Sequence, residues 1–378
     1  MKLQHYSYDN EQWDRPLDAS LDSSSTLVII FSTYSAEKVR EPLQKMRETY
    51  KDALIIGAST AGNIFMDSLE ESPFSMTVIK FDTSKIKLVS THIQDMQNSF
   101  ESGRYLAKNL KEEDLKFIYV LSNGLHTNGS ELVDGFNDVF DSKLPISGAL
   151  AADDGKFEST WIIANGSIDT NGISAIGFYG DSIHYSSSYK DGLDIFGIQR
   201  LVTRSKANVL YELDGKPALE IYKEYLGEQS QRLPLSALSF PLAIETATKE
   251  NITRTVLAVD EKEKSMTFAG DIPQGSYVSF MKANLNRVVA GANKAAEELH
   301  LDTLYDGELL TIAVSCIGRR LILKQRTEEE LEAIVEMMPQ DSTLIGMYSF
   351  GEISPTQNKC CELHNQTMTL MAIWERDA

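Results

Sequence analysis

Five short stretches hold the polar residues able to do chemistry. In the first, GASTAG (57–62) with the following Asn63, Ser59 and Thr60 offer hydroxyls and Asn63 an amide on a turn of small residues. A phosphate-cradling loop needs a terminal Gly-Lys-Ser/Thr, because the lysine neutralises phosphate charge, and Asn63 stands where that lysine would be. A nucleophile elbow needs Gly-x-Ser-x-Gly, and Ala61 fills its last position. The stretch is then either a plain tight turn after a buried strand or a turn lining a ligand cavity at the carboxyl ends of strands. SGALAADD (147–154) carries Asp153 and Asp154. These are hard oxygen donors for a cation or cationic group, or caps of the next element. SCIGRR (315–320) sets Cys316 beside Arg319 and Arg320. Neighbouring cations would lower the thiol pKa and make Cys316 a nucleophile; a free cysteine is otherwise a small buried hydrophobe. One of the two arginines is expected to point inward. A buried guanidinium needs a carboxylate, and Glu352 is the expected partner of Arg319.

GMYSFGEISP (346–355), with Tyr348 and Glu352, and ELHNQT (362–367), with His364 and Asn365, place polar groups where core strands would run. Cys360-Cys361-x-x-His364 is not a usual zinc spacing. The absence of CxxCH excludes covalent c-type haem. Haem b needs only one axial residue and an apolar cavity, so spacing leaves it open; His364 reads equally as a hydrogen-bonded core histidine. Of the other histidines only His126 stands out. No HExxH, GxGxxG, kinase or cyclase signature occurs, so no catalytic constellation is complete.

The elements that position these stretches recur. TLVIIFS (26–32) reads as a buried strand, AEKVREPLQKMRETY (36–50) as an amphipathic helix and Ala53–Ile56 as a second strand, followed by a hairpin pair at 75–82 and 85–93. Phe117–Leu121 and Leu309–Ser315 begin two further passes of the same kind. Gly57, Gly148 and Gly346 fall at matching points, which predicts three divergent β-α-β-β copies. A strand-rich segment (172–215) and a helix (217–226) lie between copies two and three, and the polar stretch 227–237 is the expected domain boundary. The expected fold is a mixed α/β (α+β) protein in two parts, with mixed or antiparallel sheets flanked by helices. Residues 1–25 are expected as a flexible lead, 26–226 as the first part and 227–378 as the second.

Composition narrows function. The 378 residues carry 55 acidic against 36 basic side chains, a formal net charge of −19, which repels phosphate backbones and anionic lipids. Nucleic acid is therefore excluded as an expected partner. No apolar run reaches the ~18 residues of a membrane helix, and the N-terminus lacks the apolar core of a secretory signal. Three cysteines (Cys316, Cys360, Cys361) make no disulfide framework and point to a reducing cytoplasm.

GASTAG, PISGALAADD, LVTRSKANVLYELDGKPALEIYKEYLG, FPLAIET, SCIGRR, YSFGEISP and LHNQT together give the chain a resemblance to the FIST family, over residues 26–372 and in both its N-terminal and C-terminal domains. The resemblance implies a cytoplasmic sensory module that binds a small ligand. Family members are fused to, or encoded beside, histidine kinases, chemoreceptors or diguanylate cyclases. This chain has no sequence left over for an output domain, so it is expected to signal through a separate protein. Free-standing members that sense nitric oxide through haem would make His364 the axial ligand. An amino acid or similar metabolite would instead set its carboxylate on Arg319 and its ammonium on Glu352 or Asp153. A third alternative is a thiol-dependent enzyme acting through Cys316.

Overall fold

The structure, a computed structural model, describes residues 1–245, 251–301, 307–356 and 358–376. Thr26–Ser32 forms a strand buried along its whole length, as a strand covered on both faces must be. The helix Arg40–Thr49 carries the chain to Leu54–Ser59, which pairs with it in parallel; a parallel pair requires such a crossover. Pro42 sits in the first turn of that helix, where its missing N–H leaves nothing unsatisfied. Phe74–Lys80 then returns antiparallel on the other edge of Thr26–Ser32.

The same order recurs twice. Leu115–Ser122 and Ile146–Leu150 pair in parallel across the helix Gly129–Phe140, and Gly172–Tyr179 runs antiparallel beside them. Leu309–Cys316 and Ser342–Ser349 pair in parallel across Ile317–Leu323 and Thr327–Val335, with Met368–Glu375 antiparallel. The repeat expected from the glycines is present, and the registers explain the glycines. Gly57, Gly148 and Gly346 face Ile30, Val120 and Ala313 on the parallel neighbour. A Cβ on Gly57 would stand 2.7 Å from the Ile30 carbonyl oxygen, and on the other two it would overlap the Val120 and Ala313 carbonyls outright.

The three units exchange strands in a ring. The short strand after each second strand joins the sheet of a different unit: Asn63–Phe65 pairs with Ser342–Ser349, Ile162–Ala164 with Leu54–Ser59, and Gly351–Pro355 with Ile146–Leu150. The outer strands also cross over: Lys85–His92 pairs with Gly172–Tyr179, and Ile183–Lys190 with Met368–Glu375. Lys2–Asp9 takes the corresponding edge place in the sheet of unit one, against Phe74–Lys80. Residues 1–25 are thus not a free lead. Tyr6 and Tyr8 alternate with polar residues and are buried, a strand signal obscured by the polar composition around it.

Between units two and three lies an eight-stranded sheet running from Leu193–Lys206 to Tyr277–Ala283 and packed around Leu210, Tyr222, Met266 and Phe280. Arg254, buried in this insertion, donates to the Leu363 carbonyl of the ringed body at 2.9 Å. A line at 226/227 passes through three of the four sheets, because strands from either side of it pair in each. The helix Ser99–Leu110, not expected from the sequence, crosses Gly129–Phe140 at Gly103 and Gly135, where a Cβ would strike the partner backbone.

Candidate functional site

The three glycine-bearing turns meet one another. The Ala61 N–H donates to the Tyr348 carbonyl (2.9 Å), Ala152 to Ser59 (2.9 Å) and Phe350 to Leu150 (3.1 Å). Each donor and acceptor occupies the corresponding position of its unit, so the closed set of backbone bonds follows from the repeat itself.

Beside this junction opens a polar cleft of about 510 Å³, lined by Ser59, Thr60, Asn63, Glu70, Asp153 and Arg320 among others. Much of its polar lining is committed to the fold. The Thr60 hydroxyl accepts from the Gly62 and Tyr348 N–H groups at 3.0 and 3.1 Å. Ser59 Oγ accepts from the Trp161 N–H at 3.1 Å. The Asp153 carboxylate accepts from four successive backbone N–H groups, those of Lys156, Phe157, Glu158 and Ser159, at 2.8–3.2 Å. Burial would raise its pKa, but these donors hold it below the ordinary aspartate value.

Two acceptors are not committed. Asn63, 1% exposed, donates from Nδ2 to the Ser72 carbonyl, while its Oδ1 has no hydrogen-bond partner among the described residues. Glu70 meets His5 through Oε1 at 3.4 Å, and its Oε2 also has none there. The cleft's guanidinium belongs to Arg320. It lies over the Tyr348 ring at 5.8 Å and 3.7 Å from Asp154. At such partial exposure the attraction to Asp154 is weak, so Arg320 can turn to a ligand.

Arg319, next to it, faces the interior. Its Nε donates to Glu330 Oε2 at 2.9 Å, and its other N–H groups reach Glu330 and the Asp191, Gln366 and Val288 carbonyls. The expected pairing with Glu352 is corrected to Glu330, which also accepts from Ser315 and Tyr348. A side chain in a helix turns about 100° from its neighbour, so one of two adjacent arginines faces in and the other out; the identity of the inner one depends on where a carboxylate waits. Glu352 is buried against Ser349 and Thr367. Burial pushes its pKa up to about 8, the two hydroxyls notwithstanding.

The remaining candidates stand elsewhere. Cys316 and Asn365 line a separate, apolar cleft. Burial pushes the Cys316 thiol far up, with Glu352 nearby adding to the effect, which removes the thiolate a nucleophile would need. Arg319, Tyr348, Glu352 and His364 line neither cleft. His364 packs at a tilt against Tyr189, ring centroids 4.1 Å apart, and directs Nε2 to the Ser354 carbonyl at 3.1 Å. Its pKa is lowered by burial to about 4. An axial ligand needs a free ring nitrogen facing a cavity, and this histidine does not fit haem. No three His, Cys, Asp or Glu side chains among the described residues converge as metal ligands would. No described helix is long and apolar enough to cross a membrane. Glu70, Trp161, Arg320 and Glu330 escaped the sequence reading; only the Arg-Arg pair signalled one of them.

Comparison with known proteins gives three findings. The FIST N domain matches residues 26–216 and the FIST C domain residues 218–355. An uncharacterised protein of Methanocaldococcus jannaschii is 23% identical over 397 aligned positions, covering 93% of this chain and 74% of that protein. The crystal structure of a cyanuric acid hydrolase from A. caulinodans aligns over 100% of this chain and 99% of its own, with a TM-score of 0.40 and 7% identity, too low to establish a common fold.

Proposed function

The chain belongs to the FIST family, and from that premise we propose that its polar cleft receives a small zwitterionic metabolite, an amino acid being the simplest. FIST domains are associated with sensory signal transduction and small-ligand binding. The observation that carries the ligand class is the Asn63 Oδ1, buried and unpaired among the described residues in the same cleft as Arg320. A buried unpaired acceptor is costly, and an ammonium group would satisfy it. Glu70 Oε2 would take a second ammonium hydrogen, and Arg320 would hold the carboxylate by a two-pronged contact. The carboxylate-binding role expected of Arg319 thus passes to Arg320.

In this reading the protein is a cytoplasmic sensor without chemistry of its own. Occupancy draws Arg320 and the turns of units one and two around the ligand and shifts the population of a state that a separate kinase, diguanylate cyclase or chemoreceptor reads.

Thermal unfolding in the presence of each common amino acid and small organic acid tests this. A cognate ligand at about a hundredfold its Kd adds about 2.7 kcal/mol to stability. If no zwitterion stabilises the protein, or if one does so equally in Arg320→Ala, the reading fails.

A further inference from the structure

The segment 153–159 borders two clefts. Asp153, Asp154, Lys156, Glu158 and Ser159 line the polar one, while Gly155 and Phe157 line the apolar one, of about 220 Å³. Around this second cleft four large apolar side chains stand in water: Phe157 at 50%, Leu235 at 57%, Leu257 at 41% and Leu321 at 42% exposure. They come from four separate elements, the 153–159 segment, Leu235–Ser239, Val256–Asp260 and Ile317–Leu323. Single exposed apolar residues are ordinary, but their convergence on one hollow marks a binding site.

The cleft has a shape and a polar handle. Phe157 stacks on Phe350 with centroids 4.5 Å apart and planes 7° from parallel, which makes one wall flat. Thr255, 4% exposed, also lines the cleft, and its hydroxyl has no hydrogen-bond partner among the described residues. The volume equals that of about seven waters at about 30 Å³ each, enough for one or two fused rings. Among the described residues Arg232 is the one side chain bearing a full charge there, and it is exposed. With a net charge of −19 on the protein, the surrounding field disfavours anions.

We propose that this cleft is a second ligand site, for a small neutral aromatic molecule with one hydrogen-bonding group. The ring lies along the Phe157–Phe350 wall and the polar atom meets the Thr255 hydroxyl. The site stands independently of the zwitterion reading, because it shares no side chain with the polar cleft.

Calorimetric titration of the full chain with phenol and with indole tests it. The expected result is one saturable site per chain. Thr255→Val, which keeps the shape and removes the hydroxyl, weakens both probes roughly fivefold to tenfold, the fold-change of one hydrogen bond. Leu321→Glu, a substitution at an exposed rim position, weakens them at least as much while the thermal unfolding curve stays in place. The proposal is overturned if neither probe saturates, if both variants bind like the parent, or if benzoate binds in preference to phenol. It is also overturned if the parent chain is a dimer that Leu321→Glu dissociates, since the rim would then serve a second copy.

Discussion

Arg319 and Glu330 neutralise each other in the interior, Nε to Oε2 at 2.9 Å, both essentially without exposure. Their pairing ties the strand end at Ser315, the helix Thr327–Val335 and the Tyr348 hydroxyl into one network. Removing one member of a buried pair strands the other. Arg319→Met and Glu330→Leu should therefore each cost about 3–5 kcal/mol alone, and the double variant Arg319→Met/Glu330→Leu should recover much of it. Denaturant midpoints for the two singles and the double check this; additive losses would contradict it.

Arg320 separates binding from stability. It is partly exposed and, among the described residues, held by a 3.7 Å contact to Asp154 and by the Tyr348 ring. Arg320→Ala should leave the unfolding free energy within about 0.5 kcal/mol of the parent and abolish stabilisation by the zwitterionic ligand.

Two buried groups give stability a pH signature. The Glu352 pKa rises from 4.5 to about 8 on folding, so between those values the native state holds the extra proton and stability falls as pH rises. The His364 pKa drops from 6.5 to about 4, so across that window the unfolded state holds the extra proton and stability falls as pH falls. From pH 4.5 to 6.5 the two slopes oppose each other, and from 6.5 to 8 that of Glu352 stands alone. Glu352→Gln should remove a slope of about 1.4 kcal/mol per pH unit in the upper window. Unfolding curves at several pH values between 6.5 and 8 decide this; an unchanged slope would show that Glu352 is already ionised in the fold.

The corresponding glycines should not tolerate alanine equally. Gly148→Ala and Gly346→Ala drive a methyl into a neighbouring carbonyl, while Gly57→Ala leaves 2.7 Å. The first two are expected to lose about 3 kcal/mol or more, in the range of severe overpacking, and Gly57→Ala to lose less. Thermal denaturation of the three single variants ranks them.

Asp153→Asn keeps size and loses charge. With four N–H groups aimed at the carboxylate, the amide offers one acceptor oxygen in place of two, and its own N–H₂ opposes the donors. A loss of about 1–3 kcal/mol is expected, together with faster cleavage at 154–159 under limited proteolysis.

The repeated units were legible because buried strands and amphipathic helices leave strong periodic signals and because Gly57, Gly148 and Gly346 are set by local strand contact. The strand exchange was not. A short strand such as Asn63–Phe65 carries no mark of which sheet it joins; that is settled by the turns meeting at Ala61, Ala152 and Phe350. The site divided in the same way. Ser59, Thr60 and Asn63 in unit one, and Asp153 in unit two, sit at turns whose place follows from the strand before each. Choosing between Arg319 and Arg320, or finding Glu70, required knowing which distant carboxylate each faces, and sequence spacing holds no such information.

The ring of lent strands runs through Asn63–Phe65, Ile162–Ala164 and Gly351–Pro355, so it draws on both halves of the described chain. Severed at the junction of its two named domains, the chain would leave three of its four sheets divided between the fragments. Each would present bare backbone to whatever strand came near. Coexpressed, the fragments should seek each other out, because those three sheets are whole only when both are present.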